Sequence, residues 1–176
     1  GYTAFAFDLT EGLICDGETE NVLVVKTNNK IPSSRWYSGS GIYRDVKLTV
    51  TDKVHVGYNG TKIIAKDIEN TKDNNVKVDV TATIDNDSDT NKTITVKNTL
   101  LDAQGNAAGS TVTNEVELAA KSTKDVKQEV SVIAPKLWST EDTNLYTMKT
   151  EIVADNKVLD TYETEYGFRY FDFDNN

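Results

Sequence analysis

The sequence contains few of the residues that most often carry catalysis or cross-links. Its 176 residues include one cysteine, Cys15, and one histidine, His55. A single cysteine cannot form a disulfide within the chain, and we expect Cys15 to be a small strand or core residue. A catalytic histidine needs a base or an orienting group, and the sequence identifies neither for His55. With no His/Cys cluster and no Gly-rich phosphate loop, the sequence predicts no metal, no cofactor and no nucleophilic triad.

Positive charge and long apolar runs are scarce as well. Lys and Arg number 19 against 28 Asp and Glu, which gives a net charge of −9. Nucleic acids and anionic membranes attract basic surfaces, so we expect neither as a partner. No apolar run approaches the roughly 20 residues that span a bilayer. The chain begins with Gly1 and shows no signal peptide, and we expect it to be a piece of a longer protein.

What the sequence has in abundance is strand pattern. Valine, isoleucine and threonine dominate, and apolar residues alternate with polar ones between Asn, Asp and Gly clusters, which is typical of β-strands with one buried face. In Val76–Ile84 every second residue is apolar, which predicts one dry and one wet face. Seven strands are predicted after residue 60: Lys62–Ile68, Val76–Ile84, Thr93–Leu101, Thr111–Leu118, Thr123–Ile133, Leu145–Val153 and Val158–Phe171. The class is therefore all-β, and seven short strands predict an immunoglobulin-like sandwich.

The first 56 residues predict too few strands for a domain. Strands are expected at Ala4–Thr10, Asn21–Thr27 and Ile42–Thr51, and Gly57–Gly60 forms the natural boundary. Three strands bury too little apolar surface to be stable alone. We therefore divide the chain into domains 1–56 and 57–176, and expect the first to be completed by strands outside this chain or to lean on the second.

One segment departs from plain alternation. Residues 34–46 combine large aromatic residues, two arginines and two glycines in a connection that leads into a strand. Trp36 beside Arg35 indicates a surface that touches something, such as a sugar. In the strand that follows, Arg44 falls on the apolar face with Ile42 and Val46, so we expect it to be buried and paired with a carboxylate or carbonyl groups.

Other candidate chemistry is weak. Asp85–Asp89 resembles the start of a calcium loop, but Thr90 and Val96 stand where the EF-hand pattern has Gly and Glu, so a solvated turn is favoured. No pair among the many carboxylates is singled out as a catalytic pair. We assign no catalytic residue and expect the chain on its own to be inactive.

Two aromatic segments lie near the end of the chain. The stretch Pro135–Ser139 contains Leu137 and Trp138 and is followed by Asn144 and Tyr146, which predicts a long connection fixed by a tryptophan. Residues 166–173 then bring five aromatic side chains together. So many exposed aromatic residues would promote aggregation. The segment is therefore predicted to be a strand that leads into another domain.

Together the segments Trp36–Val46, Pro135–Ser139 with Asn144–Thr147, and Tyr166–Arg169 resemble glycoside hydrolase family 2, the β-galactosidase and β-glucuronidase family. The sequence of the first segment, Trp36–Val46, is most similar to β-galactosidases of Gram-positive bacteria. The resemblance implies the end of a jelly-roll sugar-binding domain followed by an immunoglobulin-like domain, within a retaining glycosidase that acts on terminal β-D-galactosides. It also implies a catalytic (β/α)₈ barrel as partner, and a bacterial protein at the cell surface or outside the cell, with the cytoplasm as alternative.

The resemblance places Ser34, Arg35 and Trp36 at the edge of the substrate pocket. Family members have an Asp where this chain has Ser34, so Arg35 is the candidate that would donate to sugar hydroxyls, with Trp36 as a stacking face. The alternative is that these side chains only pack a domain interface. A rival hypothesis for the whole chain is a stand-alone immunoglobulin-like carbohydrate-binding or adhesion module. An adhesin, however, has no need of the Leu-Trp-Ser and Gly-Phe-Arg segments.

Overall fold

The computed structural model describes residues 3–28, 30, 39–66, 68–69, 75–171 and 173, which divide into the units Gly1–Leu48 and Thr49–Asn176. All strands of the described residues lie in the second unit: β1 (Val54–Ala65), β2 (Asn75–Asn86), β3 (Lys92–Leu101), β4 (Val112–Leu118), β5 (Ser122–Ile133), β6 (Tyr146–Ala154) and β7 (Lys157–Tyr166). These residues form no α-helix, and hence no apolar helix that could cross a bilayer. The all-β prediction is confirmed.

The strands form two antiparallel sheets packed as a sandwich. One sheet has the order β1-β2-β5 and the other β4-β3-β6-β7. In constant-type immunoglobulin domains the fourth strand joins the sheet of the first, second and fifth. Here β4 pairs with β3 instead, from Lys92 opposite Leu118 to Asn98 opposite Val112. The sandwich is therefore divided three against four.

Alternation along the strands builds the core. Val76, Val78, Val80, Ala82 and Ile84 of β2 are all buried, as the sequence predicts. Their neighbours along β2 carry charge on the outer surface, where Lys77 and Asp79 form ion pairs with Glu129 and Lys66. The buried apolar residues fall into two clusters, one around Ile84, Ile94 and Ile152 and the other around Leu100, Met148 and Phe168.

A buried polar network links the two sheets inside the sandwich. The Asn98 side-chain amide on β3 donates to the Gln128 side-chain carbonyl on β5, and the Thr150 hydroxyl on β6 donates to Asn98 Oδ1. Gln128 Nε2 donates to the Val96 carbonyl at 3.0 Å. The three side chains are buried, and among the described residues no buried side-chain polar atom lacks a partner. Such a network is tolerated only when each member is satisfied, so it fixes how the sheets face each other.

Gly57–Gly60, the predicted boundary, lies inside strand β1. The register with β2 shifts between Val56 and Thr61, and Asn59 has a φ of 52°. A Cβ on Gly60 would lie 2.6 Å from the Gly57 carbonyl oxygen, so only glycine fits. The segment is therefore a β-bulge, a feature that bends a strand and redirects its edge.

Three side chains of β7 satisfy the outer edge of β1. Asp160 Oδ2 accepts from the Val56 amide at 2.8 Å, and the Tyr166 hydroxyl oxygen accepts from the Ala65 amide at 3.0 Å. Thr61 and Thr164 share a hydroxyl hydrogen bond of 2.6 Å. An unpaired strand edge is a template for unwanted pairing, and these contacts satisfy two of the backbone amides along this one.

The first unit differs from what its sequence predicts. No strand forms among residues 3–28, 30 and 39–53, so the strands expected at Ala4–Thr10, Asn21–Thr27 and Ile42–Thr51 are absent. A strand gains hydrogen bonds and a dry face only from neighbouring strands, and the described residues of this unit provide none. Cys15 is exposed and lies outside any strand, so the prediction that it is a small strand or core residue is wrong. The assignment of this unit to a jelly roll stays a prediction.

Candidate functional site

The residues predicted to touch substrate, Ser34, Arg35 and Trp36, lie outside the described residues. The segment that follows them is described from residue 39 onward, and it is exposed throughout. The predicted sugar site therefore stays a prediction.

The structure contradicts the prediction that Arg44 is buried and paired. Its side chain is exposed, and its guanidinium carbon lies 5.4 Å from the centre of the neighbouring Tyr43 ring. The predicted inward orientation is wrong because the strand that would place Arg44 on a dry face does not form. Ile42 and Val46, which would share that face, are exposed at 52% and 70%.

The structure does bring the two C-terminal motifs together. The connection between β5 and β6, residues 134–145, runs beside the segment that follows β7. The Trp138 amide donates to the Phe168 carbonyl at 2.7 Å, and Leu137 forms a parallel bridge with Phe168. We call this pairing the Trp138–Phe168 junction; it joins residues that lie 30 positions apart.

Phe168 anchors the junction in the core. It is fully buried, and its ring meets the edges or faces of Tyr146 and Tyr166 at 5.1 Å in near-perpendicular arrangements. Aromatic pairs favour this geometry over a face-to-face sandwich. Burial raises the pKa of the Tyr166 hydroxyl, and the hydrogen bond from the Ala65 amide opposes part of that rise. Tyr166 therefore stays a neutral, structural tyrosine at physiological pH.

Gly167 allows close packing against tryptophan. A Cβ at this position would lie 3.2 Å from Trp138 Cβ and 3.3 Å from Cγ. Such contacts are tighter than those that a Cβ normally makes, and the indole is held by the backbone pairing of the junction. The glycine of the Gly-Phe-Arg motif thus allows the two chain segments to approach.

The polar residues of the connection hold its own backbone. Ser139 Oγ accepts from the amides of Glu141 and Asp142 at 3.2 and 2.9 Å. Asn144 Nδ2 donates to the Leu137 carbonyl at 2.9 Å, and the Lys136 amide donates to the Tyr146 hydroxyl oxygen at 3.0 Å. Ser139, Asn144 and Tyr146 are motif residues, and each has a structural partner.

Arg169 is a motif residue whose charged end lies against aromatic rings and makes no ion pair within the described part of the chain. Its guanidinium carbon lies 5.5 Å from the centre of the Trp138 ring and 5.6 Å from that of Phe171. Sequence analysis named all three residues but not their contact. The signal was available in part, because Arg169 and Phe171 are two positions apart and so share one side of an extended chain. The approach of Trp138 from another segment could not be read from spacing.

The sandwich surface also carries a shallow acidic depression lined by Asp102, Leu145, Thr147, Glu163 and Glu165. Asp102 serves its own loop, since its Oδ1 accepts from the amides of Gln104 and Asn106 at 2.9 and 2.8 Å. These bonds, that from the Asn106 amide foremost, lower the pKa of Asp102. Within the described ranges, no group of three or more His, Cys, Asp and Glu side chains is arranged to hold a metal.

Comparison with known proteins agrees with this geometry. A family model described as glycosyl hydrolases family 2 matches residues 44–169, which include both halves of the Trp138–Phe168 junction. The chain belongs to glycosyl hydrolases family 2. The resemblance drawn from the three motifs is thereby confirmed.

Relatives in this family are several times longer than the chain. A beta-galactosidase of Bacteroides ovatus is 36% identical over 175 residues, which cover 99% of this chain and 20% of that protein. A beta-glucuronidase of Formosa agariphila is 30% identical over 98% of this chain and 19% of its own length. A solved family 2 member from Bacteroides cellulosilyticus superposes with a TM-score of 0.72 at 26% identity, over 80% of this chain and 19% of that one. The chain thus spans about a fifth of the curated relatives that it matches.

Proposed function

We propose that this chain is the non-catalytic β-sandwich part of a retaining β-galactosidase that hydrolyses terminal β-D-galactosides. The observation that carries the proposal is the match to the Bacteroides ovatus beta-galactosidase, at 36% identity across 99% of the chain. The Formosa agariphila beta-glucuronidase, at 30% identity, supports β-glucuronide hydrolysis as the second candidate. In this assignment residues 1–56 are the end of a jelly-roll domain and residues 57–176 an immunoglobulin-like domain.

The role we assign to the sandwich is mechanical support of a catalytic (β/α)₈ barrel in the same polypeptide. Retaining glycosidases act with two carboxyl groups about 5 Å apart across the sugar. Neither motif of the Trp138–Phe168 junction contributes a carboxylate, since their side chains are aromatic, apolar, amide, hydroxyl or cationic. The junction instead holds a backbone segment from which Arg169 and Phe171 project. Such a segment can support a neighbouring domain but has no group for glycoside hydrolysis.

A chromogenic assay tests the substrate and the division of labour. The longer protein that contains this chain should release nitrophenol from p-nitrophenyl β-D-galactoside faster than from the β-D-glucuronide, and the chain alone should release none from either. Faster cleavage of the glucuronide would replace the galactosidase assignment by the second candidate. Hydrolysis by residues 1–176 alone would overturn the non-catalytic role.

Arg35 and Trp36, with Ser34, are proposed to form one wall of the pocket in the longer protein. Arg35→Ala should raise KM or lower kcat for the galactoside by about tenfold, the range expected when a donor to the substrate is lost. An exposed lysine of the sandwich, Lys157→Ala, is the control. Unchanged kcat and KM for Arg35→Ala would remove it from the pocket and leave the interface role.

Family membership argues against the stand-alone adhesion module, since the shared region includes the Leu-Trp-Ser and Gly-Phe-Arg segments that an adhesin does not need. Galactose binding by the chain alone, together with no hydrolysis by the longer protein, would reinstate it. We keep a location at or outside the bacterial cell surface as part of the proposal.

A further inference from the structure

Arg169 is an exposed cation that forms no ion pair with the residues that the structure describes. Of the ion pairs between described residues, none involves Arg169, although the chain has 28 acidic residues and a net charge of −9. Five lysines of the sandwich reach a carboxylate, namely Lys66, Lys77, Lys97, Lys121 and Lys149, whereas others such as Lys157 form no ion pair with a described residue. Neither of the two arginines that the structure describes, Arg44 and Arg169, forms an ion pair, but Arg44 lies over the ring of its own neighbour Tyr43, whereas Arg169 lies over Trp138, which is distant in sequence.

The guanidinium is nevertheless held in place. Trp138 and Phe171 both lie within 5.6 Å of it, and the backbone of its neighbour Phe168 is fixed by the hydrogen bond to Trp138. Contact between a guanidinium and aromatic rings is a cation–π interaction, which restrains the side chain without using its N–H groups. The five N–H donors lie in the guanidinium plane and match the two oxygens of a carboxylate.

The surroundings of Arg169 are apolar and aromatic. Phe171 and Phe173 follow it at alternate positions, are exposed at 68% and 83%, and have ring centres 5.5 Å apart. We call Trp138, Arg169, Phe171 and Phe173 the Arg169 surface. Aromatic residues and arginine are the types that dominate binding energy at protein interfaces, and contiguous exposed apolar groups mark such interfaces more often than single ones do.

We propose that the Arg169 surface is the docking surface for the catalytic barrel of the same polypeptide, and that an Asp or Glu side chain on the barrel binds the guanidinium of Arg169 in a bidentate pair. This rests on the proposed function, which supplies the barrel. Charge selects the partner group: the rest of this acidic chain repels a carboxylate, and Arg169 is the preorganised site that accepts one. The phenylalanines exclude water around the pair, which strengthens it and sets the position of the barrel.

The test uses the longer protein and three variants. Arg169→Met keeps an apolar stem over Trp138 and removes the charge, Arg169→Lys keeps the charge and removes the fork, and Lys157→Met removes one exposed charge elsewhere on the sandwich. The readouts are the rate of limited proteolysis between sandwich and barrel, and hydrogen exchange of residues 166–171. Exchange of β2 and β5 in the same samples reports whether the sandwich itself is intact.

Arg169→Met should raise the interdomain cleavage rate about tenfold or more, the loss expected when one partner of a desolvated pair is removed. Arg169→Lys should have a smaller effect, and Lys157→Met should change the rate less than about twofold. The proposal is overturned if Arg169→Met and Lys157→Met behave alike while β2 and β5 stay protected. If Arg169→Met exposes β2 and β5, Arg169 is a fold residue and the proposal also falls.

A second copy of this chain is the competing occupant. Sedimentation of the same variants decides this, because an Arg169→Met change that dissociates an oligomer without faster interdomain cleavage would assign the surface to self-association and overturn the proposal. The proposed function is judged separately by glycoside hydrolysis. If Arg169→Met speeds interdomain cleavage but the longer protein hydrolyses neither glycoside, the substrate assignment is wrong and the docking surface is still supported.

Discussion

The valines of residues 75–86 are sealed inside the sandwich, whereas those of residues 21–27 lie in solvent. Val78 and Val80 have no exposed surface, while Val24 is 81% exposed. Both stretches are rich in β-branched residues, and both predict a strand. Val78 has Val130 opposite it on β5, and β2 is flanked on its other side by β1. The difference is therefore one of partners, not of local sequence.

The alternation of apolar and polar residues therefore shows which side of a strand is apolar. It does not show whether another part of the protein covers that side. Propensity for strand is largely fit to a pleated, half-buried surface. The second unit supplies that surface from its own strands. The described residues of the first unit do not, and Phe5, Phe7, Val24 and Leu48 of that unit are exposed.

The largest effect should come from truncating the same residue type in each unit. Phe168→Ala removes a fully buried ring between two tyrosines and should lower the free energy of unfolding by about 3–5 kcal/mol. Phe7→Ala, at a position 75% exposed, should change it by less than about 0.5 kcal/mol. Urea unfolding of the chain measures both.

The same pair sharpens the comparison in the longer protein. If other strands complete the first unit there, Phe7→Ala should cost more than about 1 kcal/mol, because the ring would then be buried. Equal small effects in the chain and in the longer protein would show that the first unit is exposed in both. Equal large effects of Phe7→Ala and Phe168→Ala in the chain would contradict the contrast drawn here.

Two asparagines give the next largest contrast. Asn98 joins Gln128 and Thr150 inside the sandwich, and Asn98→Ala leaves two buried polar groups unpaired, at a cost of about 2 kcal/mol or more. Asn21 makes two hydrogen bonds to the Ile14 backbone, at 2.8 and 2.9 Å, but in an exposed site. Asn21→Ala should cost less than about 0.5 kcal/mol because water replaces these bonds.

An apolar triple variant checks the reason for the first cost. Asn98→Leu, Gln128→Leu and Thr150→Val together remove the side-chain donors and acceptors of the network, and only the Val96 carbonyl loses a partner. The triple variant should therefore lose less stability than Asn98→Ala, which leaves two side chains unpaired. A triple variant that loses more would mean that shape at these positions matters more than hydrogen bonding. Thermal unfolding of the three proteins in parallel gives the ranking.

Much of the sandwich could be predicted from its residues. The alternation in β2 gave its buried set, and the strands predicted for β2 to β6 agree with the observed bounds to within two residues. The predicted Val158–Phe171 continues five residues past the end of β7 at Tyr166. The largest difference is at β1, which begins at Val54 and continues through Gly57–Gly60. Two glycines and an asparagine usually end a strand, and only the contact with β2 on both sides of them shows a bulge.

The candidate site could be predicted by its motifs and not by its contacts. Trp138, Gly167 and Arg169 were all singled out by their sequence neighbourhood. Their assembly depends on the parallel pairing of Leu137 with Phe168, a long-range contact that has no period in the sequence. The prediction for Arg44 was wrong for a different reason. Alternation placed Arg44 on the apolar face of a strand, but in the structure no other strand covers that face and Arg44 is exposed.

Acid should weaken the sandwich through its paired glutamates, by a smaller amount. Glu151 accepts from Lys149 at 2.9 Å and Lys97 at 3.0 Å, and these bonds, led by that from Lys149, hold its pKa below the ordinary value of 4.5. A lowered pKa means that the folded state binds fewer protons, so this stabilisation is complete above pH 4.5 and is lost as pH falls through the folded pKa. Glu151→Gln should cost about 0.5 kcal/mol at pH 7 and nothing at low pH, as measured by urea unfolding across that range. An equal cost at all pH values would assign the effect to packing.

Asp16 offers the finest contrast, because it tests whether the first unit has local order without strands. Its carboxylate accepts hydrogen bonds from the Thr19 hydroxyl and from the amides of Thr19 and Glu18, at 2.7 and 2.9 Å for the amides, and these lower its pKa from 3.8 to about 2. Side-chain NMR titration should therefore give Asp16 a midpoint near 2, and Thr19→Ala should return it toward 3.8, because the largest cause is the Thr19 hydroxyl. Thr161→Ala, an exposed threonine of β7, should leave that midpoint unchanged. A midpoint of 3.8 in the unaltered chain would show that this turn does not persist in solution, and that the contrast between the two units extends from missing strands to missing turns.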